Sequence, residues 1–138
     1  QQSLWENGLT AEEELNVVVG SGEEHSVTET LENLMHRNIP FDGIFANTMT
    51  NAVEAANCLR KHGLRVPEDV KVISFQNSPL AEMVSPTISA IEMDAQQTCQ
   101  FVVEALNQII RQRDTQCGTT RIPAVLFARE STQMGEAE

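Results

Sequence analysis

Phe41-Asp42-Gly43-Ile44-Phe45-Ala46-Asn47, then a helical stretch ending Leu59-Arg60-Lys61-His62-Gly63, then Leu64-Arg65-Val66-Pro67-Glu68-Asp69-Val70-Lys71-Val72-Ile73-Ser74-Phe75, read together as strand, helix, strand. Gly43 to Ala46 is short and apolar between turn-forming residues, the pattern of a strand buried on both faces. Asn47 and Thr48 are natural helix caps. From Met49 to His62 the residues Val53, Ala56 and Leu59 recur at helical spacing. Arg60, Lys61 and His62 suit the negative end of that helix, and Gly63 stops it. Val66-Pro67-Glu68-Asp69 then turns the chain into a second strand, Val70 to Phe75.

The same alternation continues in both directions. Toward the N-terminus, Leu15 to Val19 reads as a strand that ends at the Gly20-Ser21-Gly22 turn. Ser26 opens a helix there, with Glu29 three residues on as the other half of a capping box. Val27, Leu31, Leu34 and Met35 give that helix one apolar face, and Pro40 ends it. Toward the C-terminus, the proline-bounded connection Gln76-Asn77-Ser78-Pro79 leads to a strand from Ile88 to Met93. Asp94 caps a long helix whose apolar positions are Cys99, Val102, Val103, Leu106 and Ile109, closing at Arg111 and Arg113. The last strand is Ala124 to Ala128. Five strands and three main helices make an α/β fold, an open and mostly parallel sheet flanked by helices. Residues 1–131 are expected to belong to one domain and 132–138 to a disordered tail.

Composition narrows the function classes. Twenty acidic residues face nine basic ones, a formal charge of -11, which repels nucleic acid phosphates and anionic membrane surfaces. No apolar run nears the roughly 20 residues that a membrane helix needs, and Gln1-Gln2-Ser3-Leu4-Trp5-Glu6 lacks the basic start of a signal peptide. With no initiator methionine, the chain is expected to be cut from a longer one. Cys58, Cys99 and Cys117 are odd in number and lack a C-x-x-C spacing, so idle thiols in a reducing cytosol are expected. His25, His36 and His62 share no ligand spacing, and no metal or cofactor is expected.

In open parallel sheets, ligands gather where strands end and helices begin. The loops in that position are Gly20-Ser21-Gly22-Glu23, Asn47-Thr48-Met49-Thr50, Gln76-Asn77-Ser78 and Met93-Asp94. Neutral amides and hydroxyls dominate them, a chemistry that holds hydroxyls or heterocycle edges rather than moving protons. The candidate ligand-binding residues are therefore Ser21, Gly22, Asn47, Thr48, Gln76, Asn77, Met93 and Asp94. Each also has a structural use: Asn47 or Thr48 as a helix cap, Asn77 in an Asx turn before Pro79, Asp94 as the cap of the long helix. No phosphate loop, dinucleotide fingerprint or nucleophile elbow is present. Glu12-Glu13-Glu14 and Glu23-Glu24 read as solvated faces, not as a paired acid and base.

The opening string, with Gly63-Leu64-Arg65-Val66-Pro67-Glu68-Asp69-Val70 as its specific part, closely resembles the lactose/galactose repressor (LacI/GalR) family. The similarity continues through Ser78-Pro79-Leu80-Ala81-Glu82, Ser85-Pro86, Ile88-Ser89-Ala90-Ile91 and Ala128-Arg129-Glu130-Ser131. It implies part of a type I periplasmic-binding-protein-like lobe. Family members join a helix-turn-helix DNA-binding domain to a two-lobed core with a small-molecule effector between the lobes. Here the DNA-binding domain, nearly all of the first lobe and the opening strand of the second are expected to be absent. The strand near Ile88 and the helix from Asp94 would belong to the first lobe, leaving that helix without its sheet.

Residue by residue, the resemblance implies that Asn47 faces the effector and that Thr48, Gln76 and Ser21 stand where acidic residues are usual. Met93 and Ala95 fall where some members present pocket side chains. Loss of three carboxylates removes strong acceptors for sugar hydroxyls, so the usual sugars are disfavoured and a more apolar or anionic effector, or a pocket that binds nothing, enters consideration. The resemblance also implies a homodimer, with Val53, Leu80 and Met83 as interface candidates. The function expected is a cytoplasmic, non-enzymatic allosteric sensor that reaches DNA only through a missing N-terminal domain. A periplasmic sugar-binding protein of a transporter is the alternative, and an enzyme with an unrecognised site a third.

Overall fold

The computed structural model describes residues 6–8, 13–18, 26–112 and 121–133. The chain divides into two units, Gln1–Pro40 and Phe41–Glu138.

In the first unit, helix α1 (Val27–His36) forms as its caps dictate. Ser26 accepts from the Glu29 amide while the Glu29 carboxylate accepts from the Ser26 amide, satisfying two donors that the first helical turn leaves open. Leu31 and Leu34 are buried, whereas Val27 and Met35 are only half-buried. The strand expected from Leu15 to Val19 is corrected: Glu13–Leu15 is a turn of 3-10 helix and residues 16–18 have no regular structure. The Asn16 amide bonds back to the Glu13 carbonyl, and Val18 is 88% exposed. A β-branched run becomes a strand only beside a partner, and none pairs with it among the described residues. Val19 and the Gly20-Ser21-Gly22 turn lie outside the described residues.

The second unit holds a four-stranded sheet in the order β1 (Gly43–Ala46), β2 (Lys71–Ser74), β3 (Ser89–Met93), β4 (Ala124–Phe127). The first three are parallel, with Ala46 level with Ser74 and Ser74 level with Ala90, and β4 runs antiparallel to β3. The α/β class and the mostly parallel sheet are as expected. Four strands rather than five are present among the described residues.

Helix α2 (Met49–Lys61) covers one face. Its buried side is Met49, Ala52, Ala55, Cys58 and Leu59, while Val53 and Ala56, expected on the core face, are half-buried along its flank. Small side chains at Ala52 and Ala55 let the helix lie close to the sheet, so Val72, Ile88, Ala90 and Leu59 are sealed completely. Burying each of the larger ones is worth roughly 1.5–3 kcal/mol. Gly63, with φ of +79°, takes the left-handed turn that ends the helix.

The expectation that β1 is buried on both faces is also corrected. Ile44 and Ala46 point toward α2, but Phe45 is 61% exposed on the opposite face, edge-on to Phe75 at 6.0 Å between ring centroids. Within this unit α2 is the helix packed on the sheet, so only one face of β1 is covered.

Helix α3 (Ala95–Gln112) and β4 complete the unit differently. No described side chain of α3 is buried, and all four β4 residues are exposed. Phe101, Val102, Val103, Leu106 and Ile110 stand in solvent, the unsheathed helix that the resemblance implied. Beyond β4 the chain re-enters the core. Ser131 is fully buried between β2 and the segment before β3, bonded to Val72, Thr87 and Ser89. Thr132 and Gln133, placed in the tail by the sequence reading, close a turn on the Arg129 carbonyl.

Candidate functional site

Parallel register decides which loops share an edge. Because Ala46 is level with Ser74, and the Phe75 amide bonds to the Ala46 carbonyl at 2.8 Å, the loops opening at Asn47 and Gln76 lie side by side at the carboxyl end of the sheet. That is where α/β folds of this kind place ligands. β3 runs three residues past the level of Ser74, so Met93 stands roughly 10 Å farther out along the strand. The candidates Asn47, Thr48, Gln76 and Asn77 are thus brought together, with Met93 and Asp94 higher on the same side. Ser21 and Gly22 lie outside the described residues.

The structural uses of these side chains separate them. Thr48, not Asn47, caps α2, its hydroxyl accepting from the Asn51 amide at 3.2 Å. Asn47 is exposed and free of that duty. Gln76 is exposed in a tight turn held by Ser74, whose buried hydroxyl donates to the Gln76 carbonyl and accepts from its amide. Asp94 spends its carboxylate on the Gln97 amide at 3.0 Å, capping α3. Met93 is 40% exposed.

Asn77 does not make the simple Asx turn that Pro79 suggested. Its Nδ2 donates to Glu92 Oε2 at 2.8 Å, and its Oδ1 accepts from Arg129 Nη1 at 3.2 Å. Arg129 also donates to the Ile88 carbonyl at 2.9 Å and pairs with Glu82 at 3.1 Å, with the Phe127 ring 5.6 Å from its guanidinium carbon. Sequence reasoning missed Glu92 and Arg129 as rim residues. Nothing in their spacing marks them, since Asn77 and Arg129 are 52 residues apart and meet only when β4 returns beside β3.

At the other end of the sheet lies a hollow of about 360 Å³ lined by Ala56, Arg60, Leu64, Arg65, Val66 and Pro86 among others. Its guanidiniums are already engaged. Arg60 donates to Asn57, and Arg65 holds Asp69 in a two-pronged bond at 2.9 and 2.7 Å. That bond and the Arg65 amide draw the Asp69 carboxyl down to about 2 and raise Arg65. The hollow is an apolar dent beside a rigid turn, far from the polar rim.

Of the interface candidates, Val53 and Leu80 are half-buried and packed against the core, while Met83 is 79% exposed. Among the described residues, no helix is long and apolar enough to cross a membrane.

Comparison with known proteins agrees with the architecture. Residues 1–132 match the periplasmic binding protein-like domain family. The ribose operon repressor of Halalkalibacterium halodurans is 26% identical over 130 residues, covering 93% of this chain and 39% of the repressor. A LacI-family transcriptional regulator from Arthrobacter sp. FB24 superposes with a TM-score of 0.66 at 26% identity, over 96% of this chain and 49% of that one. The transcriptional regulator CelR in complex with cellobiose gives 0.69 at 25% identity, over 94% and 39%. The chain spans less than half the length of each of these three proteins. With its sheet order, its carboxyl-end rim and its match along residues 1–132, the chain belongs to the periplasmic binding protein-like family, in the form that this domain takes in lactose/galactose-type repressors.

Proposed function

We propose that this chain is the ligand-sensing and dimerisation portion of a bacterial transcription regulator. A small, sugar-like effector would bind at the rim formed by Asn47, Thr48, Gln76 and Asn77, with Met93 and Asp94 above. The observation that carries the reading is the register of Ala46 with Ser74, which makes neighbours of two polar loops rich in neutral amides. Such groups both donate and accept, as hydroxyl-bearing ligands require.

Binding would then bias the angle between this lobe and another, and so the pairing of DNA-binding heads carried elsewhere in the protein. The acidic balance of the chain suits a part that does not itself touch DNA. A homodimer would place Met83, with Leu80 and Val53 behind it, at the subunit boundary. The relatives include an operon repressor and a transcriptional regulator, which favours a cytoplasmic regulator over a transporter's periplasmic binding protein. No described residue pairs a nucleophile with a base at the rim, and the reading is a binder rather than a catalyst.

A thermal-shift screen with pentoses, hexoses and disaccharides tests this directly. An effector at 100 times its dissociation constant should add about 2.7 kcal/mol of stability. Asn47→Ala should abolish that gain without lowering the ligand-free melting temperature. A gain that survives both Asn47→Ala and Gln76→Ala would place the site elsewhere.

A further inference from the structure

We propose that Glu92 is the residue with which this rim selects its effector, and that the effector is an uncharged, hydroxyl-bearing molecule rather than an anion. This assignment rests on the effector-binding reading above and specifies its chemistry.

Glu92 lies on β3 two residues beyond the level of Ser74, roughly 7 Å past the end of β2. It therefore stands over the loop that opens at Gln76. Asn77 Nδ2 donates to its Oε2 at 2.8 Å, which pins one carboxylate oxygen. Among the described residues, no donor meets Oε1 and no cation pairs with the side chain, which is exposed.

The pin is itself held. A guanidinium only donates and a carboxylate only accepts, so the Asn77 amide, placed between Arg129 and Glu92, has one possible orientation. Oδ1 must face Arg129 and Nδ2 must face Glu92, as observed. Arg129 has little freedom to move, with a side chain only 14% exposed and anchored by the Ile88 carbonyl and Glu82. The series Arg129, Asn77, Glu92 thus delivers a fixed carboxylate oxygen to the rim.

Asn47, Thr48 and Gln76 are neutral, and the other rim carboxylate, Asp94, is drawn toward the first turn of α3 by its bond to the Gln97 amide. A fixed acceptor-only group attracts hydroxyl donors by charge-assisted hydrogen bonds and repels phosphate or carboxylate. The amides of Asn47 and Gln76 beside it complement hydroxyls rather than a full charge. Glu92 is accordingly the specificity-determining residue, while Asn77 and Arg129 are positioning residues that act through it.

The test compares D-ribose, D-glucose, cellobiose and a wider neutral sugar panel with the corresponding sugar phosphates, by calorimetry on the full chain. Wild-type protein should bind a neutral sugar at least tenfold more tightly than its phosphate. Glu92→Gln, isosteric and exposed, should keep the ligand-free melting temperature, weaken the neutral sugar by tenfold or more, and shrink the discrimination against phosphate by a similar factor. Asn77→Ala should give the same change of discrimination to a smaller extent, a response that a purely structural role would not produce. If neutral sugars bind and Glu92→Gln leaves both affinity and discrimination unchanged, or if a sugar phosphate binds wild type more tightly, this assignment fails and the effector-binding reading stands. If neither panel stabilises wild-type protein, the effector-binding reading falls and this assignment with it.

Discussion

Ser131 and Val72, 59 residues apart, exchange two hydrogen bonds: the Ser131 hydroxyl donates to the Val72 carbonyl, and the Val72 amide donates to the Ser131 carbonyl at 3.0 Å. The same hydroxyl accepts from the Ser89 amide at 2.8 Å. One small side chain therefore satisfies polar backbone on both β2 and β3 where water cannot reach.

Ser131→Ala should be costly for this reason. It orphans a buried carbonyl and a buried amide, a loss of about 1–3 kcal/mol for each unsatisfied group before relaxation. Urea unfolding should show a lowered midpoint with an unchanged slope. A shift below about 0.5 kcal/mol, the range of an ordinary surface substitution, would show that the site relaxes or hydrates.

Asp69 gives a pH signature. Its carboxyl lies at about 2 in the folded chain, against roughly 3.9 when unfolded. The folded state binds fewer protons, so the contribution is whole above about pH 4 and drains away as the pH falls through about 2. The stability difference between wild type and Asp69→Asn should be constant from about pH 5 to 7 and should narrow steadily below about pH 4. A difference that holds its size down to about pH 2 would contradict the role assigned to Arg65.

Met83 tests the proposed dimer. At 79% exposure it contributes little to the isolated fold, so Met83→Asp should leave the melting temperature of the monomer within about 1 °C, as a surface change does. In sedimentation experiments the same variant should weaken self-association tenfold or more. Unaltered association would move the subunit boundary away from the turn that follows β2.

The bare side of α3 predicts a fourth behaviour. Val102, Val103, Leu106 and Ile110 are each at least half exposed, an apolar stripe of the kind that binds hydrophobic dyes and promotes aggregation. Leu106→Lys with Ile110→Lys should lower dye fluorescence several-fold and raise solubility, while changing stability by less than about 0.5 kcal/mol. A large loss of stability would mean that the stripe is packed in solution.

Much of this was legible from local signals. Ser26 with Glu29, Thr48 before Met49, Asp94 before Gln97 and Gly63 after His62 mark helix ends through contacts three residues apart or fewer, which a linear reading captures. Gly43–Ala46 was placed to the residue. The errors arise where a residue's state depends on a distant neighbour. Val17 and Val18 have the composition of a strand but, among the described residues, no strand beside them, and Phe45 looks like core but lies on the face that α2 does not cover.

The rim shows the same division. Asn47 and Gln76 were found because strand ends announce themselves. Glu92 and Arg129 were missed because their importance comes from Asn77 lying between them, a meeting set by the antiparallel return of β4. Asn77 makes bonds that the sequence does not suggest, since Pro79 nearby points to a local turn and gives no hint of Arg129.

The re-entry of the chain at Ser131 also has a mechanical meaning. The polypeptide leaves the sheet at Met93 and rejoins it at Ala124 as β4, and just past Arg129 it is clasped to Val72, Thr87 and Ser89. The chain that follows β4 is thereby fastened to the middle of the sheet, two residues from Ser74 and close to the turn that presents Gln76.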